Sequence, residues 1–128
     1  MIFGIGVDAV AIVRMQNNIK RYGQRFAGRI LSQQELKEYS ASHMPANYLA
    51  KHFAAKEAIS KALGTGIRKG VSFRNISIKH DELGKPELIY NGSVKDFIES
   101  RKIVNTHLSI TDEKDYAFAC VVLEINQD

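Results

Sequence analysis

Glu57 and Lys61 stand four residues apart in FAAKEAISKALGTG, residues 53–66, an alanine-rich helical pattern that runs into Gly64-Thr65-Gly66. Phe53, Glu57, Lys61 and Gly64 fall on one continuous stripe of such a helix. A glutamate followed at this spacing by a lysine can be no more than a solvent-facing ion pair worth about 0.3–0.5 kcal/mol. The stripe instead invites chemistry if it leads to a glycine turn whose backbone N–H groups are open to an anion. Asp8, in GIGVDAV, is a second carboxylate and shares its strand face with Gly4 and Gly6. Those absent side chains leave room for another element or a ligand beside it. Asp8 and Glu57 form the pair expected to hold a divalent cation, because two hard carboxylates completed by water and phosphate oxygens are a usual Mg²⁺ site. The competing role for Asp8 is to cap the helix that follows.

The remaining chemistry-bearing residues exclude more than they suggest. The spacing of His43, His52, His80 and His107 is not that of zinc ligands. His107 shares the polar face of its strand with Asn105 and Ser109, which suits an exposed or hydrogen-bonded histidine as well as a phosphate or proton contact. No serine stands in a nucleophile-elbow pattern, so a Ser-His-Asp hydrolase is set aside. The single cysteine, Cys120, lies in the apolar run AFACVVLEI and is expected to be a buried small hydrophobe. With no second thiol, an internal disulfide is impossible and a reducing compartment is natural.

Several elements must position these groups. Residues 2–10 alternate as a strand, with Phe3, Ile5, Val7 and Ala9 on the face opposite Asp8. Residues 13–30 read as helical and strongly basic, carrying Arg14, Lys20, Arg21, Arg25 and Arg29 and interrupted at Gly23. Ser32 and Glu35 match a capping box and Leu31 and Leu36 a hydrophobic staple, so a new helix starts near residue 33. Pro45 suits the first turn of the long helix, which continues to Leu63 before Gly64 supplies a left-handed stop. Residues 71–80 and GKPELIY predict a hairpin through a turn at 81–86. A short helix is expected over 93–102, starting at Ser93 with Asp96 three residues on. Two closing strands, 105–111 and 116–125, complete the chain, the last apolar on both faces and therefore central. These elements predict one α+β domain over residues 1–128, with helices packed on one side of a mostly antiparallel sheet.

Composition agrees with a folded unit of that size. The 128 residues are 45% hydrophobic and 25% charged, with no tryptophan and two prolines. The net charge of +4 favours a phosphate-rich ligand, nucleic acid or an acidic protein partner without choosing among them. The apolar N-terminus has no basic start, and no run of eighteen uncharged apolar residues occurs. A cytoplasmic protein without a membrane span is the expectation.

Two segments, GIGVDAVAIVRM and FAAKEAISKALGTGI, followed by DELGKPEL and a histidine strand leading to YAFACVVLE, resemble the holo-[acyl-carrier-protein] synthases, the small bacterial 4′-phosphopantetheinyl transferases. The likeness covers nearly the whole chain in order. It implies transfer of 4′-phosphopantetheine from coenzyme A to a serine of apo acyl carrier protein, releasing adenosine 3′,5′-bisphosphate. It implies Mg²⁺ on Asp8 and Glu57, with Lys61 a positive charge on the coenzyme phosphate and Glu57 able to help remove the serine proton. Gly64, Thr65 and Gly66 would wrap the coenzyme. His107 and the Gly84-Lys85-Pro86 corner would reach it from a neighbouring subunit of a homotrimer, and Arg14, Arg21 and Arg25 would receive the acidic carrier protein. This chain departs from the family pattern at Ala11, where a glutamate is usual, at His52, where an arginine contacts phosphate, and at Thr111, where a second histidine is frequent. The competing reading is a binding module whose basic helix docks an acidic protein or nucleic acid without catalysis. No aromatic-rich strand of the kind that stacks bases supports the nucleic-acid version.

Overall fold

The computed structural model describes residues 1–68 and 70–126. Its elements are β1 (Ile2–Ala11), α1 (Ile12–Tyr22), α2 (Gln24–Ile30), α3 (Gln33–Ala41), α4 (Pro45–Leu63), a 3₁₀ turn (Phe73–Asn75), β2 (Ile76–His80), β3 (Pro86–Tyr90), α5 (Gly92–Ser100), β4 (Ile103–Asp112) and β5 (Tyr116–Ile125). Strands β1, β5 and β4 form one antiparallel sheet in that order, with β5 in the centre, and β2 pairs with β3 in a separate antiparallel hairpin. The α+β class and the central last strand are as expected; the sheet is divided in two.

The α4 helix lies against β1 and β5 and supplies the middle of the core. Its alanines make this possible, since Ala54, Ala55 and Ala58 are fully buried and Ala62 nearly so. Opposite them, β1 has glycines. A Cβ on Gly6 would stand 1.8 Å from the Ala58 carbonyl oxygen, and one on Gly4 2.0 Å from that of Ala62. Strand and helix backbones therefore touch, which any side chain at either glycine would prevent.

Local sequence signals set most boundaries. Ser32 and Glu35 form the capping box, each side chain bonded to the other's backbone N–H. Pro45 opens α4, and Gly64, with φ of 82°, closes it in the left-handed conformation. The basic stretch is two helices, broken at the expected interruption, where Gly23 takes φ of 62°. Two boundaries differ from expectation. Residues 73–75 make a 3₁₀ turn, so β2 begins only at Ile76, and α5 starts at Gly92 after Asn91, with no side-chain cap at its N-terminus.

One face of the three-stranded sheet carries the helix; the other is bare. Ile5, Val7, Tyr116 and Phe118 are exposed on that second face, and so is Cys120. The expectation of a buried thiol is thus wrong: β5 alternates, and Cys120 falls on the uncovered side while Ala119 and Val121 fall in the core.

Candidate active site

The close approach of β1 and α4 delivers the expected acidic pair to one place. With Gly6 against Ala58, Asp8 emerges one step further along β1 beside the turn of α4 that bears Glu57 and Lys61. Lys61 Nζ donates to Asp8 Oδ1 at 2.9 Å and to the Val7 carbonyl at 3.0 Å. The lysine therefore pairs across to β1, and the surface Glu57–Lys61 pair is not what forms. Asp8 does not cap α1 either: the cap position is Ala11, without a side-chain bond.

Glu57 is half-buried, and its carboxyl is pushed above the ordinary carboxylate range. Burial is the main cause and the neighbouring Asp8 charge the second, with Lys61 and then Arg14 opposing. Two carboxylates close enough to repel, fringed by cations, make a site suited to a hard divalent ion. Among the described residues no cluster of three or more His, Cys, Asp or Glu side chains could hold a metal, so any ion here would take its other ligands from water and substrate. Arg14, on α1, also lies over the Phe53 ring at 5.1 Å, which fixes α1 beside the same stretch of α4.

The glycine turn does not offer its amides to a ligand. Gly64 N–H donates to the Lys61 carbonyl, and the N–H groups of Thr65 and Gly66 both donate to that of Ser60. Thr65 is buried and its hydroxyl donates to the Gly66 carbonyl. The amides are consumed in ending α4, so the expected open anion nest is absent. What the turn does offer is space, since nothing lies within 4 Å of where a Cβ would stand on Gly64 or Gly66. Lys61 and Arg68, the latter bonded to the Thr65 carbonyl at 2.7 Å, supply positive charge at this carbonyl end of the helix.

The other residues expected to bind the coenzyme lie apart from this cleft. His52 is 4% exposed, stacks on Tyr48 with ring centroids 3.9 Å apart and donates through Nδ1 to the Tyr48 carbonyl. Burial holds its pKa below the usual value. Its Nε2 has no hydrogen-bond partner among the described residues and faces Glu35 at 3.7 Å. His52, Gly84 and Pro86 share a cavity of about 200 Å³ with Lys51, His80 and Asp112. Lys85 is exposed at the hairpin turn, where Asp81 accepts its N–H and that of Leu83. His107 projects from the bare sheet face and pairs with Glu124. Arg21 lies over the Tyr22 ring at 5.3 Å, and Arg25 lines a pocket of about 270 Å³ with Tyr22, Phe26 and Arg29. Within one chain the expected residues thus form separate groups: the Asp8 cleft, the His52 cavity, His107 and the basic face of α1 and α2.

Sequence reasoning missed a buried ion pair behind the site. Lys56 and Glu35 are both fully buried, with Nζ 2.5 Å from Oε1. Lys56 also donates to the carbonyls of Ile30 and Phe73, while Glu35 accepts from the backbone N–H groups of Ser32 and Ile78. The signal was available: Leu49, His52, Lys56, Ile59 and Leu63 follow helical spacing, placing a lysine on the buried stripe.

The chain belongs to the 4′-phosphopantetheinyl transferase superfamily, whose family model matches residues 4–121. It is similar to the holo-[acyl-carrier-protein] synthase of Neisseria meningitidis, with 52% identity over 97% of this chain and 99% of that protein. The crystal structure of the N. meningitidis synthase superposes with a TM-score of 0.93 at 52% identity, covering 97% of this chain and 99% of the other. A Bacillus anthracis holo-(acyl-carrier-protein) synthase, solved in complex with CoA (3′,5′-ADP), superposes with a TM-score of 0.83 at 38% identity over 98% of this chain and 99% of that one.

Proposed function

We propose that this chain is a phosphopantetheinyl transferase that moves the 4′-phosphopantetheine arm of coenzyme A to a serine hydroxyl of apo acyl carrier protein, releasing adenosine 3′,5′-bisphosphate. The observation that carries the reading is the convergence of Asp8, Glu57 and Lys61 where two glycines bring β1 onto α4. Asp8 and Glu57 are the residues that would hold Mg²⁺, their mutual repulsion being what a divalent cation relieves. Bound there, Mg²⁺ supplies neutralising charge for the coenzyme pyrophosphate.

The chain's own groups account for the rest of the transfer. The serine oxygen forms a bond to the phosphorus on the pantetheine side, and the bond from that phosphorus to the bridging oxygen breaks. The electron pair leaves on adenosine 3′,5′-bisphosphate, and the ammonium of Lys61 stabilises the growing charge. Glu57, whose surroundings raise its affinity for a proton, takes the serine proton. Gly64 and Gly66 give the coenzyme a path free of side chains, and Thr65 holds that path in shape.

The homotrimer belongs to the same proposal. An exposed apolar sheet face of this kind needs a partner, and a second copy of the chain is the partner proposed. Such an assembly would bring His107, the cavity lined by His52, Gly84 and Pro86, and Lys85 at the adjacent hairpin turn toward the Asp8 cleft of a neighbour. The acidic carrier protein docks on the basic α1–α2 face through Arg14, Arg21 and Arg25, with attraction that weakens in salt. The chain works in the cytoplasm as one catalytic unit per copy, serving fatty acid synthesis. No helix among the described residues is long and apolar enough to cross a membrane, in keeping with that setting.

Incubation with coenzyme A, Mg²⁺ and apo acyl carrier protein is expected to add one phosphopantetheine to the carrier, read by mass spectrometry. An unmodified carrier, with the chain folded and several carriers tried, overturns the reading. Glu57→Gln should retain the fold and lose about 10²–10⁴-fold in kcat/KM. Wild-type turnover in that variant would remove Glu57 from the site.

A further inference from the structure

A cleft of about 650 Å³ lies away from the Asp8 site, between the start of α3 and the segment that leads from the 3₁₀ turn into β2. None of Asp8, Glu57, Lys61 or His52 lines it. We propose that this cleft is a second ligand site, one for a phosphate group, with Lys37 and Arg74 as its cations and the buried hydroxyls of Ser32 and Ser77 at its base.

The lining contains both cations and no carboxylate. Among the described residues neither Lys37 nor Arg74 has an acidic partner within 4.0 Å, unlike Lys51, Lys56 and Lys61. The one acid at this end of α3, Glu35, is turned inward onto Lys56, so its charge is answered in the core.

The base of the cleft gives an independent reason. Ser32 and Ser77 are more than nine-tenths buried and their hydroxyl oxygens are 2.8 Å apart. Two hydroxyls joined by one hydrogen bond have a hydrogen left over, and Ser32 Oγ is already an acceptor for the Glu35 N–H. No acceptor for that second hydrogen is found among the described residues. Both oxygens have partners within the chain, and because both serines line the cleft that hydrogen is available to an acceptor bound there.

The surrounding groups point the same way. The N–H of Gln34, in the first turn of α3, precedes the first intrahelical bond and lies at the positive end of the helix. Asn91 lines the cleft, and its side chain makes no cap bond to α5. A lining of donors and positive charge selects an oxyanion that accepts many hydrogen bonds, and a phosphate meets that description. The volume leaves room for an organic group, so inorganic phosphate and a phosphate monoester share the recognised chemistry.

The full chain, labelled with ¹⁵N, is titrated near neutral pH with inorganic phosphate and, separately, with ribose 5-phosphate. Saturable shifts of the Ser32, Gln34 and Ser77 amides are expected. Arg74→Gln should weaken the apparent Kd about tenfold or more. Lys37→Gln should weaken it as well, and because both side chains are exposed neither variant should change Tm. Shifts with both probes assign the site to the phosphate alone; shifts only with the sugar phosphate assign it to an organic phosphate. The proposal is overturned if neither probe gives saturation at these amides, if shifts are confined to residues 64–66 or His52, or if the Arg74/Lys37 double variant binds as tightly as wild type. Transferase activity is not part of the readout, so this result stands apart from that of the carrier-modification assay.

Discussion

Glu57 carries a proton more readily than an ordinary carboxylate because it is half-buried and faces Asp8. The sign of the resulting pH dependence follows. Between the unfolded value of 4.5 and the raised folded value, the folded chain binds more protons than the unfolded one. In that window this group stabilises the metal-free fold as pH falls, and its contribution is lost as pH rises through the folded value. Metal binding has the opposite slope, since the proton must leave first. Calorimetric Mg²⁺ titrations across acidic pH should therefore show affinity falling at higher pH than two ordinary carboxylates would give. Replacing Asp8 with Asn should lower the pH of that fall. Asp8 was marked in the sequence by the glycines on its strand face and Glu57 by a helix stripe running into a glycine turn, but spacing alone could not bring the two together. Lys56 was hidden by its neighbour: a lysine adjacent to a glutamate reads as surface charge unless the spacing of Leu49, Ile59 and Leu63 is followed through it. The glycine turn was misread because sequence identifies a left-handed stop without saying which carbonyls its amides will satisfy.

At the scale of elements, α4 has two very different faces. Its alanine side meets the glycines of β1 backbone to backbone, so Gly6→Ala would drive a methyl into the Ala58 carbonyl. We expect a loss of about 3 kcal/mol on denaturant unfolding, with activity falling further than stability because Asp8 is displaced from Glu57. The opposite side is tied to α2, α3, the 3₁₀ turn and β2 through Lys56 and Glu35. Lys56→Met leaves the Glu35 charge buried without its partner and should cost about 3–5 kcal/mol. Adding Glu35→Gln should recover much of that loss, because the charge goes while an amide oxygen remains to accept. A double variant as unstable as the single one would contradict this account of the pair. The same hub explains an element the pattern did not reveal. Residues 72–76 alternate like a strand, yet the Phe73 carbonyl is claimed by Lys56 and the backbone turns there. The capping box of α3 was readable because all its parts are within four residues; the hub reaches from Ile30 to Ile78 and was not.

For the whole molecule, the uncovered face of the three-stranded sheet is the dominant surface feature. Ile5, Val7 and Phe118 are 58%, 56% and 38% exposed there, more apolar area than one isolated copy has reason to leave in water. Phe118→Glu should leave the chain folded but shift its sedimentation from an assembly to single copies, with loss of transferase activity. A variant that still assembles and turns over normally would place the interface elsewhere. The alternation of β1 and β5 was visible in the sequence, but exposure of the second face could not be assigned without knowing that the helices among the described residues leave it open. If each reaction centre is completed by a neighbour, output per chain depends on how much of the chain is present. Dilution below the association threshold would then silence correctly folded polypeptide, so that a cell making too little of it would have less than proportionate activity.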